Sequence, residues 1–281
     1  MSENCENICE ISNYIYNWLI NYKNLKEESV TDYLLYEISN KIHNVRYKHI
    51  SRHEEARYFG SDWQWWIVFD NHCAFAMNIQ AKKIDLDKDN YHKLVYSNKY
   101  GLQIEKLLNY SKENNLFPCY AFYSSFSKQI LNNTCFGEGV YISNAEEVYE
   151  FLFKNESLFD ENGKRQKVYA EDIISGSKLP GSKSLFSFFC EKDSIINKFC
   201  DKCCNKKFND TNNDKIKNNG LGWHNNIPKE ILNLINKNNM SFQKDNQISN
   251  DVEVSNKKLV HTKNLLIFDL REYCENYQKS N

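Results

Sequence analysis

The chain has 281 residues, with Lys+Arg 36 against Asp+Glu 37, and a formal net charge of -1. That length supports one large domain or two modest ones around a real core, and 41% hydrophobic with 14% aromatic residues excludes a disordered chain. The charge balance excludes a histone-like polybasic protein. It leaves room for a nucleic-acid enzyme, whose basic groove can sit on a neutral molecule.

The first residues, Met1-Ser2-Glu3-Asn4-Cys5-Glu6-Asn7, hold neither a basic nor an apolar signal region, and no run of about 18 apolar residues follows. The expectation is a cytoplasmic protein with no membrane partner. The 10 Cys are scattered and read as mostly reduced, buried thiols.

Ile8, Ile11, Ile15, Trp18, Leu19 and Tyr22 recur at helical spacing, predicting an amphipathic helix over residues 6–23. A second helix is predicted from Ser29, where Ser29-Val30-Thr31-Asp32 fits a capping box and Leu34, Leu35, Ile38 and Ile42 follow. The period then falls to two at Val45, Tyr47 and His49, which predicts a strand. Trp63–Phe69 and Cys73–Lys82 are the clearest strands, joined by a turn at Asp70-Asn71-His72. Trp63, Trp65 and Trp66 fill odd and even positions, so that strand is expected to be buried on both faces.

Part of residues 90–114 reads as helix, with Leu102, Leu107 and Leu108 inward. Pro118–Tyr123 reads as a central buried strand, 125–133 as helix, Gly139–Ile142 as strand and Ala145–Lys154 as helix. Beyond about residue 160 the pattern weakens. Residues 205–219 and 236–258 are polar and read as loops, and Leu265–Leu270 is an apolar run that suits a last strand or a docking helix. The organisation expected is an N-terminal helix over 1–24 and a core domain over 25–158. A substrate- or partner-binding extension over 159–281 follows, with a flexible insert around 205–219.

The chemistry concentrates between Glu27 and Gln103. Side chains alternate along a strand, so Gln80 and Lys82 share a face. An odd turn or a bulge in the hairpin would bring Asp62 onto that face. An acid, an amide oxygen and an ammonium at one strand end suit a hard divalent cation, Mg²⁺ or Mn²⁺, which takes oxygen ligands and lowers the pKa of water. Asp62 and Gln80 would bind the ion and Lys82 would hold the attacking water. An acid of the preceding helix would complete the shell. Glu28 is the expected one, with Glu27 and Asp32 close by.

The order helix acid, strand, Asp62, strand, Gln80-Ala81-Lys82, helix resembles the PD-(D/E)xK nuclease superfamily, in the branch where Gln replaces the middle acid. More narrowly, Glu28-Ser29-Val30-Thr31-Asp32, Gly60-Ser61-Asp62-Trp63-Gln64-Trp65-Trp66 and Gln80-Ala81-Lys82-Lys83 resemble an uncharacterised bacterial family. Its members carry E-[ST]-x-T-[DE], G-A-D-W-E-W-W and Q-A-K motifs. The resemblance implies an α/β fold: a restriction-endonuclease-like core, with a mixed central sheet flanked by helices and an irregular C-terminal extension. It also implies a metal-dependent endonuclease acting on nucleic acid, DNA favoured, with Asp62, Gln80, Lys82 and Glu28 as the site and Gln103 as a supporting helix residue. A homodimer that cuts both strands and a role in bacterial defence are consistent with it. The alternative is a catalytically inactive nucleic-acid-binding or scaffold protein that keeps the fold.

One further motif is Cys200-Asp201-Lys202-Cys203, with the two-residue spacing of a Zn²⁺ half-site. No second such pair follows, so free thiols are the favoured reading and Zn²⁺ the minor one.

Overall fold

The predicted first helix forms as α1 (Glu3–Asn21), whose stripe of Ile8, Ile11, Ile15 and Leu19 is buried. A computed structural model describes residues 3–49, 60–88, 90–91, 94–99, 101–125, 139–154, 182–191, 194–209, 220–236 and 264–280. Helix α2 (Glu27–Lys41) begins two residues before the expected cap. Ser29 therefore lies inside the helix, and the capping-box expectation is corrected. Thr31 helps to fix the early start, since its Oγ1 donates back to the Glu27 carbonyl at 3.1 Å.

Three strands follow, β1 (Val45–His49), β2 (Trp63–Asp70) and β3 (Cys73–Lys83). The short strands β4 (Ser97–Asn98) and β5 (Gly101–Leu102) pair with each other and lead into α3 (Gln103–Glu113). Next come β6 (Phe117–Tyr123), β7 (Val140–Asn144) and α4 (Ala145–Lys154), close to their predicted bounds. The remainder supplies β8 (Lys183–Ser184), α5 (Leu185–Phe189), α6 (Ile195–Asn209), β9 (Trp223–His224), α7 (Lys229–Asn236), β10 (Asn264–Asp269) and α8 (Arg271–Ser280).

These strands make one mixed sheet in the order β1-β10-β2-β3-β6-β7-β8, with β9 beside the start of β3. The β10–β2 and β3–β6 pairs are parallel and the others antiparallel. A parallel neighbour needs a long crossover, and α3 provides it between β3 and β6. Helices cover both faces, as the α/β expectation requires. On one face α1, α2, α5 and α6 pack over Trp65, Met77 and Ile79. On the other, α3 and α4 pack over Tyr120 and Phe122, and α7 over Trp66 and Val68. This two-sided cover explains the run of three tryptophans, each with no exposed surface.

Three expectations need correction here. Strand β10 lies between β1 and β2, so the chain after residue 159 does not stand apart as an irregular extension. Its run Leu265–Phe268 is apolar throughout because the strand is interior and covered on both sides. Helix α6 runs to Asn209, so the start of the flexible insert expected around 205–219 is helical. The rest of that insert, the polar loop after 236 and all but the first residue of the helix expected over 125–133 lie outside the described residues. The cysteines also differ, since Cys5 with Cys190 and Cys73 with Cys203 form disulfides. Among the described residues no helix is long and apolar enough to cross a membrane.

Candidate functional site

The hairpin register decides which face Asp62 occupies. Near the turn Asp70 pairs with Cys73, but from Val68 onward the register is shifted by a bulge, ending at Trp63 opposite Ile79. One step further, Asp62 falls opposite Gln80 and on its face. Had the unbulged register continued, Asp62 would oppose Ala81 and face away. The bulge therefore assembles the site.

The β2–β3 ladder closes where the Asp62 N–H donates to the Ile79 carbonyl at 2.8 Å. The Asp62 side chain then takes the place of the next backbone partner. Its Oδ2 accepts the Ala81 N–H at 2.7 Å and the Gln80 Nε2 at 2.5 Å. Gln80 Oε1 in turn accepts from Gln103 Nε2 at 2.7 Å, and Gln103 Oε1 accepts from Lys82 Nζ at 2.8 Å. An ammonium only donates and a carboxylate only accepts. The two ends thus set the direction of both amides, and a polarised chain runs from Lys82 through two glutamines to Asp62. Gln80 and Lys82 are 2% and 5% exposed, which strengthens each link by excluding water.

Gly60 allows this arrangement. Its φ of +60° suits glycine, and a Cβ there would lie 2.7 Å from the Gln103 carbonyl and the Leu107 nitrogen. The strand entry and the start of α3 press together only because that side chain is missing.

The helix acid at the site is Glu27, which corrects the expectation of Glu28. Glu27 Oε2 accepts the Lys83 N–H at 2.8 Å, and its Oε1 lies 3.9 Å from Lys82 Nζ. Glu28 and Asp32 are exposed. Helical phase explains the difference, because Glu27, Thr31, Leu34 and Ile38 share the buried stripe and Glu28 is rotated about 100° from it. The buried positions after Val30 already mark that stripe in the sequence.

Burial pushes the Glu27 carboxyl up, opposed by the Lys82 charge and reinforced by Asp62, and the Lys83 N–H pulls it partly back. A carboxyl raised in the folded state binds protons there that the unfolded chain has already released. Stability is therefore lost as pH rises through that window, and the cost is complete above it. Glu27→Gln is expected to raise the melting temperature at pH 7 and to leave it nearly unchanged in acid, as thermal unfolding at the two pH values would read. A neutral-pH decrease would contradict this.

From the sequence Tyr120 is expected only in the core, as part of a buried strand. It pairs with Gln80 across the β3–β6 register, and its buried hydroxyl has no hydrogen-bond partner among the described residues. Burial, Asp62 and Glu27 together hold its proton well above the ordinary phenol range. A lone tyrosine in an apolar strand carries no sequence signal for such a position.

The donor set is hard oxygen: the Asp62 and Glu27 carboxylates and the Gln80 amide oxygen, which is the chemistry a Mg²⁺ or Mn²⁺ ion takes. Among the described residues no group of three or more His, Cys, Asp or Glu could hold a metal ion. The Zn²⁺ expectation at Cys200 and Cys203 is corrected. Cys203 is bonded to Cys73, and the Cys200 Sγ faces the Cys274 Sγ at 3.0 Å, so the two sulfurs serve different partners. Of the cations that flank the site in sequence, Arg46 and Lys48 sit on β1, which β10 separates from β2. Lys88 pairs with Asp85 at 3.1 Å, and Arg52 and Arg57 lie outside the described residues.

No curated protein and no solved structure matches the chain. A family model described as a family of unknown function, DUF6615, matches residues 4–273. With nearly the whole chain covered, including Glu27, Asp62, Gln80, Lys82 and Gln103, the protein belongs to the DUF6615 family.

Proposed function

We propose that this protein is a metal-dependent nuclease of the PD-(D/E)xK type, hydrolysing phosphodiester bonds of nucleic acid, with DNA the favoured substrate. The observation that carries the reading is the bulged register that sets Asp62 opposite Gln80, on the face of Lys82, with Glu27 at the edge. Asp62, Glu27 and the Gln80 oxygen would hold the ion. Bound there, a divalent cation offsets negative charge on the phosphate and makes water more acidic.

The chain's own groups do the rest. Lys82 gives one N–H to Gln103, and an ammonium has three, which leaves donors for a water or a phosphate oxygen. Gln103 keeps the Lys82 ammonium from collapsing onto Glu27. Glu27 is the more open member, with 26% of its side chain exposed, and marks the side from which substrate would enter.

A second reading, a nucleic-acid-binding protein without catalysis, is favoured by one observation. Gln80 presents its nitrogen to Asp62 and its oxygen to Gln103. Plasmid DNA and single-stranded RNA incubated with the protein in Mg²⁺ or Mn²⁺ separate the two. Cleavage that disappears with EDTA and in Asp62→Ala supports the nuclease. Salt-dependent binding with no cleavage by the wild type in either metal leaves the binding protein.

A further inference from the structure

Behind the sheet, on the face opposite Gln80 and Lys82, a cavity of about 450 Å³ opens under α5 and α6. That is the size of a small-molecule site. Strand alternation puts it there, because Phe75 and Met77 of β3 point away from Gln80 and Lys82. Four rings form one wall: Phe75 lies 4.4 Å from Phe199, 5.1 Å from Trp223 and 5.5 Å from Phe117, centroid to centroid. These rings are inclined at 46° to 62° to Phe75, so the wall offers both ring faces and ring edges, the surroundings an aromatic ligand takes.

Two charged groups also line the cavity, and they differ in setting. Glu147, in the first turn of α4, has a buried Oε2 with no hydrogen-bond partner among the described residues. A buried acceptor in that state has lost its water, and a ligand donor would restore the missing hydrogen bond. Lys198, on α6, is exposed at the rim. One turn on, Lys202 Nζ sits 4.6 Å over the Trp223 ring and adds positive charge on the same side. The interior thus asks for an N–H donor and the rim for an anion.

We propose that this cavity binds a flat heteroaromatic molecule with N–H donors on one edge and an anionic tail, the chemistry of a guanine mononucleotide. The ring packs among Phe75, Phe117, Phe199 and Trp223, its N–H edge meets Glu147, and its phosphate meets Lys198. This site is independent of the nuclease reading, since the two lie on opposite faces of the sheet.

Calorimetric titration of the full chain with GMP in EDTA tests it, because EDTA keeps any metal-assembled cleavage site out of the measurement. Guanosine lacks the anion, phenyl phosphate lacks the N–H edge and ribose 5-phosphate lacks both the ring and the N–H edge, and each is expected to bind at least about tenfold more weakly. Glu147→Met is expected to weaken GMP by about 10- to 100-fold, the worth of a charged hydrogen bond. Lys198→Ala, on the exposed rim, is expected to weaken GMP and leave guanosine unchanged. No GMP binding at millimolar concentration, or phenyl phosphate equal to GMP, overturns the proposal with the wild type alone. Equal GMP binding by both variants also overturns it.

Discussion

Lys82→Met is expected to lower metal-dependent cleavage by about 10²–10³-fold, the loss that follows removal of one preorganised charge-stabilising donor. The ammonium is enclosed, with its side chain 6% exposed, so the screening that weakens surface charges is small here. Methionine keeps most of the apolar stem and removes only the charge. Two further consequences add to the loss. Gln103 Oε1 no longer has the donor that fixes its amide, so the direction of the chain to Asp62 is released. Glu27 also loses the charge that holds its carboxyl down, and protonates at higher pH. Lys82→Arg is not expected to rescue the rate, because a planar five-donor fork cannot take the place of a point charge in a closed site. Initial rates at saturating metal, read beside the melting temperature of each variant, distinguish lost chemistry from lost folding. Retention of cleavage within tenfold by a folded Lys82→Met protein would remove Lys82 from the mechanism.

How far this site could be read in advance depends on which forces were local. Gln80 and Lys82 share a face by strand geometry alone, and the polar Asp70-Asn71-His72 turn marks the hairpin. The bulge between Val68 and Asp70 is a different matter. Every residue of Trp63–Phe69 is buried, so no polar alternation reports the register or the facing of Asp62. Glu28 is preferred to Glu27 in the sequence because a motif comparison sets the phase of α2. The buried stripe through Thr31, Leu34 and Ile38 points to Glu27.

The central place of β10 had no local signal. Its apolar run shows that the strand is interior, but pairing with Trp63–Val68 across about two hundred residues is decided by tertiary packing. The same holds for the cysteines. Cys73 looks like a core thiol and Cys203 like half of a Cys200–Cys203 pair until β3 and α6 are brought together. Composition alone argued for reduced cysteines, and the fold pairs four of them.

That pairing carries the largest expected effect on stability. The bonds Cys5–Cys190 and Cys73–Cys203 span sequence separations of 185 and 130 residues. Cross-links closing loops this long restrict the unfolded chain strongly, and losing either is expected to cost about 2–5 kcal/mol. Both bonds anchor the α5–α6 segment, one to α1 and the other to the start of β3, and the Cys200–Cys274 contact ties α6 to α8. Reduction should therefore loosen that layer first, including the roof of the cavity, before the β2–β3–β6 centre yields. Cys5→Ser and Cys73→Ser should each lower the melting temperature of oxidised protein, while added reductant should lower the wild type and leave the double variant unchanged. In a reducing cytoplasm, where such bonds rarely persist, the weaker form would be the working one. Alkylation of denatured, unreduced protein decides the matter, with Cys5, Cys73, Cys190 and Cys203 expected to resist the reagent. Modification of all four would show that the layer is held by packing alone, and the reductant would then leave the melting temperature where it was.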